Sequence, residues 1–96
     1  KTYVQFEHNC DDILDVNVQI YTITGKLVKT ISTTASAEPF FQGFRTPRTA
    51  IEWDGNDDFG DAVGKGTYIF KIFAKSQNQD KCKGTATAVE KMVLLK

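Results

Sequence analysis

The sequence predicts an all-β domain, a sandwich or barrel of six or seven short strands. Two-residue alternation of apolar and polar side chains dominates, as in Val16, Val18 and Ile20, which would share one face of a strand. No segment keeps a helical period over ten or more residues, and turn signals separate the extended runs. Such a succession of short strands and turns is typical of antiparallel sandwiches and barrels.

The strand pattern is found, in order, in residues 3–6, 16–22, 27–31, 49–53, 67–75 and a returning segment, 82–96. Gly25 separates the second run from the third, and because glycine readily adopts positive φ, these two runs are predicted to form a β-hairpin. In the fifth run, Tyr68, Phe70 and Ile72 are predicted to face one way.

The segment 32–47 is weakly patterned and is predicted to be a long crossover between two sheets. It contains Phe40, Phe41 and Phe44. We expect one or two of these rings to cover an open edge of the domain. The alternative is an exposed apolar patch, which would mark a contact surface.

Length and charge restrict the range of functions. The chain has 96 residues and is expected to form one domain, 1–96. Lys plus Arg and Asp plus Glu both number 12, so no basic excess favours a nucleic acid and no single-sign run favours a membrane surface. We expect no cofactor, no nucleic-acid partner and no insertion into a membrane. The abrupt start in an extended run suggests a domain boundary, with any export signal upstream.

Two cysteines leave two interpretations open. Cys10 and Cys82 could pair in an oxidising compartment. The closed loop would be long, so pairing could stabilise the fold by about 4 kcal/mol in the chain-entropy model. The alternative is two free thiols, because sequence does not show whether the two Cα atoms come within bonding reach.

No constellation of residues predicts catalysis. His8 and Cys10 would lie on one face of a strand, as a nucleophile pair requires, but no oxyanion hole or third orienting group accompanies them. One histidine and two distant cysteines do not match the spacing of a zinc site either. The domain is therefore predicted not to be an enzyme.

The acidic loop, residues 54–66, superficially begins like a calcium loop, with oxygen-bearing side chains at its first, third and fifth positions. Phe59 stands where an EF-hand needs glycine, and Lys65 where it needs a bidentate glutamate. The preferred interpretation is that Asp and Asn side chains bind backbone N–H groups and fix tight turns. An isolated calcium site remains the alternative.

Four short motifs occur in a fixed order: Val16-x-Val18-x-Ile20-Tyr21, Gly25-Lys26-Leu27-Val28, Trp53-Asp54-Gly55-x-Asp57-Asp58-x-Gly60 and Gly66-Thr67-Tyr68-Ile69-Phe70. The set resembles the immunoglobulin-like domains of flagellar hook-capping proteins and the C-terminal sorting domains of the type IX secretion system. The closing run, residues 91–96, with its Lys-bearing apolar strand, favours the sorting domains. The opening Phe6-Glu7-His8-Asn9 resembles that of the system's surface sortases, gingipain-like cysteine peptidases.

This resemblance implies an immunoglobulin-like β-sandwich of about seven antiparallel strands. It implies a non-catalytic C-terminal signal that directs export through the periplasm and docks a parent sortase to a PorV-like outer-membrane β-barrel shuttle at the cell surface. The catalytic Cys and His would lie upstream, so His8 and Cys10 do not inherit those roles. The structural motif implied comprises Gly25, Trp53, Asp54, Gly55, Asp57, Asp58, Gly60, Gly66 and Tyr68.

Docking candidates lie in the last strand and in the crossover: Lys91, Val93, Leu94, Leu95, Lys96, Phe40 and Phe41. We expect Val93, Leu94 and Leu95 to pack into the sandwich while the two lysines stay in water. Alternatively, the strand edge offers unpaired N–H and C=O groups to a receptor strand, and would also allow a homodimer. The competing functions are a structural spacer beside an exported catalytic domain and a scaffold of the hook-cap kind.

Overall fold

A computed structural model describes residues 2–95 and places nine β-strands in them. The strands are β1 Thr2–Val4, β2 Glu7–His8, β3 Leu14–Thr22, β4 Leu27–Ala35, β5 Glu38–Phe40, β6 Gly43–Arg45, β7 Ile51–Trp53, β8 Gly66–Ser76 and β9 Thr85–Leu94. Every strand pairing is antiparallel, so the all-β prediction is confirmed. The described part of the chain has no helix, and hence none that could cross a membrane.

The larger layer is a four-stranded sheet in the order β4-β3-β8-β9. β3 is central to it, with Val18 opposite both Ile31 of β4 and Ile72 of β8. Alternate residues of β3 and β8 are buried on one side, as the two-residue period predicts. The buried apolar set is Leu14, Val16, Val18, Ile20, Tyr68, Phe70, Ile72 and Ala74.

The second layer is divided into two small sheets, β1-β7 and β2-β6-β5. Val4, Ile51 and Trp53 from β1 and β7 belong to the same buried cluster as Val18 and Phe70 of the larger sheet. The core therefore lies between the two layers in a sandwich-like arrangement. Division of the second layer into short pieces raises the strand count above the predicted seven.

The predicted hairpin at Gly25 is confirmed, with both strands longer than expected. The Thr22 N–H donates to the Lys26 carbonyl at 2.9 Å, and the Gly25 N–H donates to the Thr22 carbonyl at 2.9 Å. Gly25 has φ 96°, a conformation that glycine adopts without the penalty other residues incur. This closed turn fixes the register of β3 against β4.

The segment 32–47, predicted to be a long, weakly patterned crossover between two sheets, contains the end of β4 and the two strands β5 and β6. β4 continues to Ala35, which is buried opposite Leu14, because Thr and Ser side chains suit a partly exposed strand position. After a short link, the chain forms the tight hairpin β5–β6 in the second layer, pairing Phe40 with Gly43. The chain does change layers here, but through ordered strands.

Candidate docking surface

The strand β9 forms one edge of the larger sheet. It pairs with β8 from Thr85 opposite Lys75 to Leu94 opposite Gly66, and no other described strand borders it. An edge strand presents a row of unpaired backbone N–H and C=O groups, and here the row is ten residues long. Ala86, Ala88, Glu90, Met92 and Leu94 lie on the face that β8 buries, whereas Thr85, Thr87, Val89, Lys91 and Val93 lie on the outer face.

The β9 stripe is the row of exposed side chains Val89, Lys91 and Val93 on the second half of the outer face, continued by Leu95 just past the end of the strand. Val89 is 68% exposed, Val93 59% and Leu95 82%, and the exposed Lys91 lies between the first two. Several exposed apolar side chains grouped on one face mark a candidate contact surface. The structure thus brings Lys91, Val93 and Leu95 together, while the predicted docking residue Lys96 lies outside the described residues.

The expectation that Val93 and Leu95 pack into the sandwich is wrong. Because strand side chains alternate, the core-facing positions near the chain end belong to Met92 and Leu94, which pack against the buried cluster. Of the three apolar residues predicted to be buried, only Leu94 contributes to the core. The other two remain available for a partner.

The second predicted docking group lies at the tip of the β5–β6 hairpin. Phe41 is 91% exposed and has φ 53°, a strained backbone for a bulky residue. Its ring meets Phe40 edge-on at 4.3 Å, and the Arg45 guanidinium lies 4.5 Å from the centre of the Phe40 ring. The same guanidinium forms an ion pair with Glu38 at 2.6 Å, so the hairpin surface is ordered by its own contacts.

The two docking groups do not share a groove. The depression beside Phe40 and Phe41 is lined by residues 7–9 and 40–44, none of which belongs to β9. Phe44 from the same hairpin is half-buried and stacks on His8 with ring centres 6.1 Å apart. One of the three crossover phenylalanines therefore turns inward, and Phe41 projects outward.

A groove of about 480 Å³ separates the first half of β9 from the segment that contains β2. Phe6 and His8 form one wall, Ala86 and Ala88 of β9 form the other, and Ile72 contributes to the floor. The inner face of β9 is uncovered here, since both alanines are exposed. Sequence reasoning missed this groove, although the small side chains on alternate positions of the last strand were a signal for it.

A disulfide joins Cys10 to Cys82 across this end of the molecule, with 6.0 Å between the two Cα atoms. The Cys10 backbone N–H donates to Nδ1 of His8 at 3.2 Å. Burial lowers the pKa of His8, and its Nε2 finds no hydrogen-bond partner among residues 2–95. Because the Cys10 sulfur is bonded to Cys82, His8 has no thiol beside it to activate.

In the acidic loop, carboxylates bind backbone N–H groups of the loop itself. Asp54 accepts a hydrogen bond from the Asn56 N–H at 2.9 Å. One oxygen of Asp57 accepts from both the Phe59 and the Asp61 N–H groups, each at 2.9 Å. These are the local turn bonds that short acidic side chains make. Residues 2–95 hold no group of three or more His, Cys, Asp or Glu side chains arranged to bind a metal.

The acidic loop is also fastened to the core and to β4. The Trp53 indole N–H donates to the Asn56 carbonyl at 2.9 Å, and the Tyr68 hydroxyl donates to the Gly64 carbonyl at 2.6 Å. Asp58 accepts from the Thr30 backbone N–H at 3.3 Å. Trp53 and Tyr68 thus connect the loop to the core, and Asp58 connects it to β4.

Asp12 binds residues at the C-terminal end of β8, and these bonds predict that the stability of the fold depends on pH. Its carboxylate accepts hydrogen bonds from the Ser76 hydroxyl and from the Asn78 N–H, the latter at 3.0 Å. The Ser76 bond, followed by the Asn78 bond, lowers the pKa of Asp12 below its ordinary 3.8. A carboxyl whose pKa is lower in the folded state contributes stability above the unfolded pKa, and this stability is lost as the pH falls through the folded value.

We therefore expect Asp12→Asn to be less stable than the wild type at pH 7, and the difference to shrink as the pH falls below the ordinary pKa of 3.8. Denaturant unfolding followed at several pH values measures it. Ser76→Ala removes the hydroxyl that donates to Asp12, and its stability difference from the wild type should also shrink as the pH falls. A stability difference that stays constant with pH would contradict this role for Asp12.

Comparison with protein families, curated proteins and solved structures finds no match to the chain.

Proposed function

We propose that this chain is a non-catalytic sorting and docking module with an immunoglobulin-like β-sandwich fold. It directs its parent protein through the type IX secretion system and holds it at the cell surface by binding an outer-membrane β-barrel shuttle. The observation that carries the proposal is the stripe on β9, where Val89, Val93 and Leu95 are exposed around Lys91. The ordered sequence motifs supply the family resemblance that names the partner class.

The exposed stripe has the physical properties of a docking surface. Full burial of a Val or Leu side chain is favourable by about 1.5–3 kcal/mol. Three such side chains around one lysine therefore offer several kcal/mol against the cost of association. The Lys91 ammonium group favours a partner with a hydrogen-bond acceptor or a negative charge opposite it, and such a pair contributes to specificity more than to affinity.

The groups that could have suggested chemistry have structural roles. The Cys10 sulfur belongs to a disulfide, and the carboxylates of Asp54 and Asp57 bind backbone N–H groups. These residues therefore support a binding function rather than a catalytic one. The parent protein, as the resemblance implies, would carry any peptidase activity in a different domain.

The test is surface delivery of a reporter protein fused to the chain in a bacterium that has this secretion system. The double variant Val93→Lys/Leu95→Lys should reduce delivery at least about tenfold, equivalent to a loss of about 1.4 kcal/mol of binding. A matched control, Thr85→Lys/Thr87→Lys, adds the same charges to the same face at the other end of β9. Normal delivery of the first variant, with its fold intact, would sink the proposal.

A structural spacer beside an exported catalytic domain is the second candidate. The disulfide favours it, because closing a loop over a sequence separation of 72 residues strengthens a module that must stay folded outside the cell. A spacer has no need of the β9 stripe. Under this alternative, the reporter fused to the wild-type chain is itself not delivered to the surface, because a spacer carries no export signal.

A further inference from the structure

We infer that the free edge of β9 accepts an extended strand of a partner protein that places a basic side chain opposite Glu90 and a large apolar side chain opposite Ala88. The inference rests on the proposed docking function, since it names the chemistry that the docking partner presents. It concerns the backbone edge and inner face of β9, whereas the proposed function rests on the outer stripe.

Glu90 occupies an unusual position for a charged residue. It lies opposite Phe70, which is fully buried, so its side chain is on the core-facing side of the sheet. Ala88 and Met92 are its neighbours on that side, and no ion pair or side-chain hydrogen bond of Glu90 is found in residues 2–95. The Glu90 side chain is half-buried, and a cation on an adjacent strand directly opposite it would form a favourable cross-strand pair.

Glu90 also disfavours a second copy of the chain as the occupant. Two β9 strands related by a twofold axis can pair antiparallel along nearly their full length in two registers, centred on Val89 or on Glu90. The second register places the two carboxylates directly opposite at about 5 Å, and the first places them diagonally at about 7–8 Å. Inward-pointing charges on edge strands are a recognised defence against such self-pairing.

The groove beside β9 defines the second part of the partner's pattern. Ala86 and Ala88 leave open space over the inner face, and the groove of about 480 Å³ continues to Phe6 and His8. A strand added to a sheet edge gains affinity from main-chain hydrogen bonds and specificity from pockets for alternate side chains. The groove can receive a large apolar side chain two residues from the basic one, because strand side chains on one face are two residues apart.

The charged side chains around the groove indicate in which order the partner's basic and apolar residues lie along β9. Lys81 and Lys83 line the end of the groove near the start of β9, with Glu7 on the opposite wall. Glu90 lies beyond the other end. The partner's basic residue is therefore expected opposite Glu90, on the side of its apolar residue that lies away from these lysines.

The test uses two cyclic β-hairpin peptides that differ only in a central Lys or Glu on an otherwise identical apolar-alternating edge strand. A cyclic hairpin is preorganised, which lowers the entropy cost of pairing. Titration of the 96-residue chain followed by amide NMR should show shifts concentrated in β9 and at least about tenfold tighter binding of the Lys peptide. Glu90→Gln should abolish this preference and Glu90→Lys should reverse it, whereas the exposed control Asp61→Asn should leave it unchanged.

Equal affinity for the two peptides, shifts outside β9, or a preference that survives Glu90→Gln would overturn the inference. Self-association of the unmodified chain through β9 would also overturn it, since the occupant would then be a second copy. Binding of wild type and Glu90→Lys to the shuttle barrel separates the two proposals. If wild type and Glu90→Lys bind the barrel equally well, the proposed function is supported and this inference is contradicted for the barrel. If the chain discriminates between the peptides but does not bind the barrel, the preference of the β9 edge for a basic strand is supported and the proposed function is contradicted.

Discussion

Replacing Trp53 with alanine is expected to lower the free energy of unfolding by about 3–5 kcal/mol. The ring is 1% exposed and meets Tyr68 and Phe70 edge-on, with ring centres 5.6 and 5.7 Å away. Its indole N–H also donates to the Asn56 carbonyl. The change would therefore open a cavity between the layers and release the acidic loop in one step.

Denaturant unfolding measures the loss, and two variants test its origin. Trp53→Phe retains an aromatic ring but loses the hydrogen bond to Asn56, so it should cost less than the alanine change. Phe59 belongs to the same loop and is 91% exposed. Phe59→Ala should therefore change the free energy of unfolding by no more than about 0.5 kcal/mol. A Trp53→Ala domain as stable as the wild type would show that the loop and the core are not coupled.

The second large effect is expected from removal of the disulfide. Cys10 and Cys82 are 72 residues apart, and in the chain-entropy model a bridge over such a loop stabilises the fold by about 4 kcal/mol. The bridge also ties the segment containing β2 to the loop before β9. Its loss should therefore loosen the groove wall at His8 before it affects the buried pairing of β3 with β8.

The double variant Cys10→Ser/Cys82→Ser and chemically reduced wild type should lose similar amounts of unfolding free energy in denaturant titrations. Amide hydrogen exchange should increase first in residues 5–12 and 80–86. The matched control is the double variant under reducing conditions, which should match its behaviour under oxidising conditions. A reduced wild type that keeps its full stability would contradict the role given to the bridge.

The central strands could be predicted from sequence because burial on one face imposes a two-residue period. The hairpin around Gly25 and the buried face Tyr68, Phe70 and Ile72 follow from that period and from turn chemistry. Residues 38–45 could not be predicted in the same way. Their strands are short and only partly buried, so no clear alternation distinguishes them from a loop.

The docking strand illustrates a second limit. A run such as Met92-Val93-Leu94-Leu95 is apolar at every position, and composition alone does not say which residues face the core. That choice depends on the register of β9 against β8, which places Met92 and Leu94 inward. Glu90 was overlooked for the same reason, because its inward orientation is set by pairing with Phe70.

The most direct test of the proposed function is binding of the purified 96-residue chain to a detergent-solubilised type IX shuttle barrel. A cargo sorting domain serves as the positive control and an unrelated outer-membrane barrel as the negative control. We expect saturable binding to the shuttle alone, weakened at least about tenfold by Val93→Lys/Leu95→Lys and unaffected by Thr85→Lys/Thr87→Lys. No binding by the folded chain, or equal binding to both barrels, would contradict it.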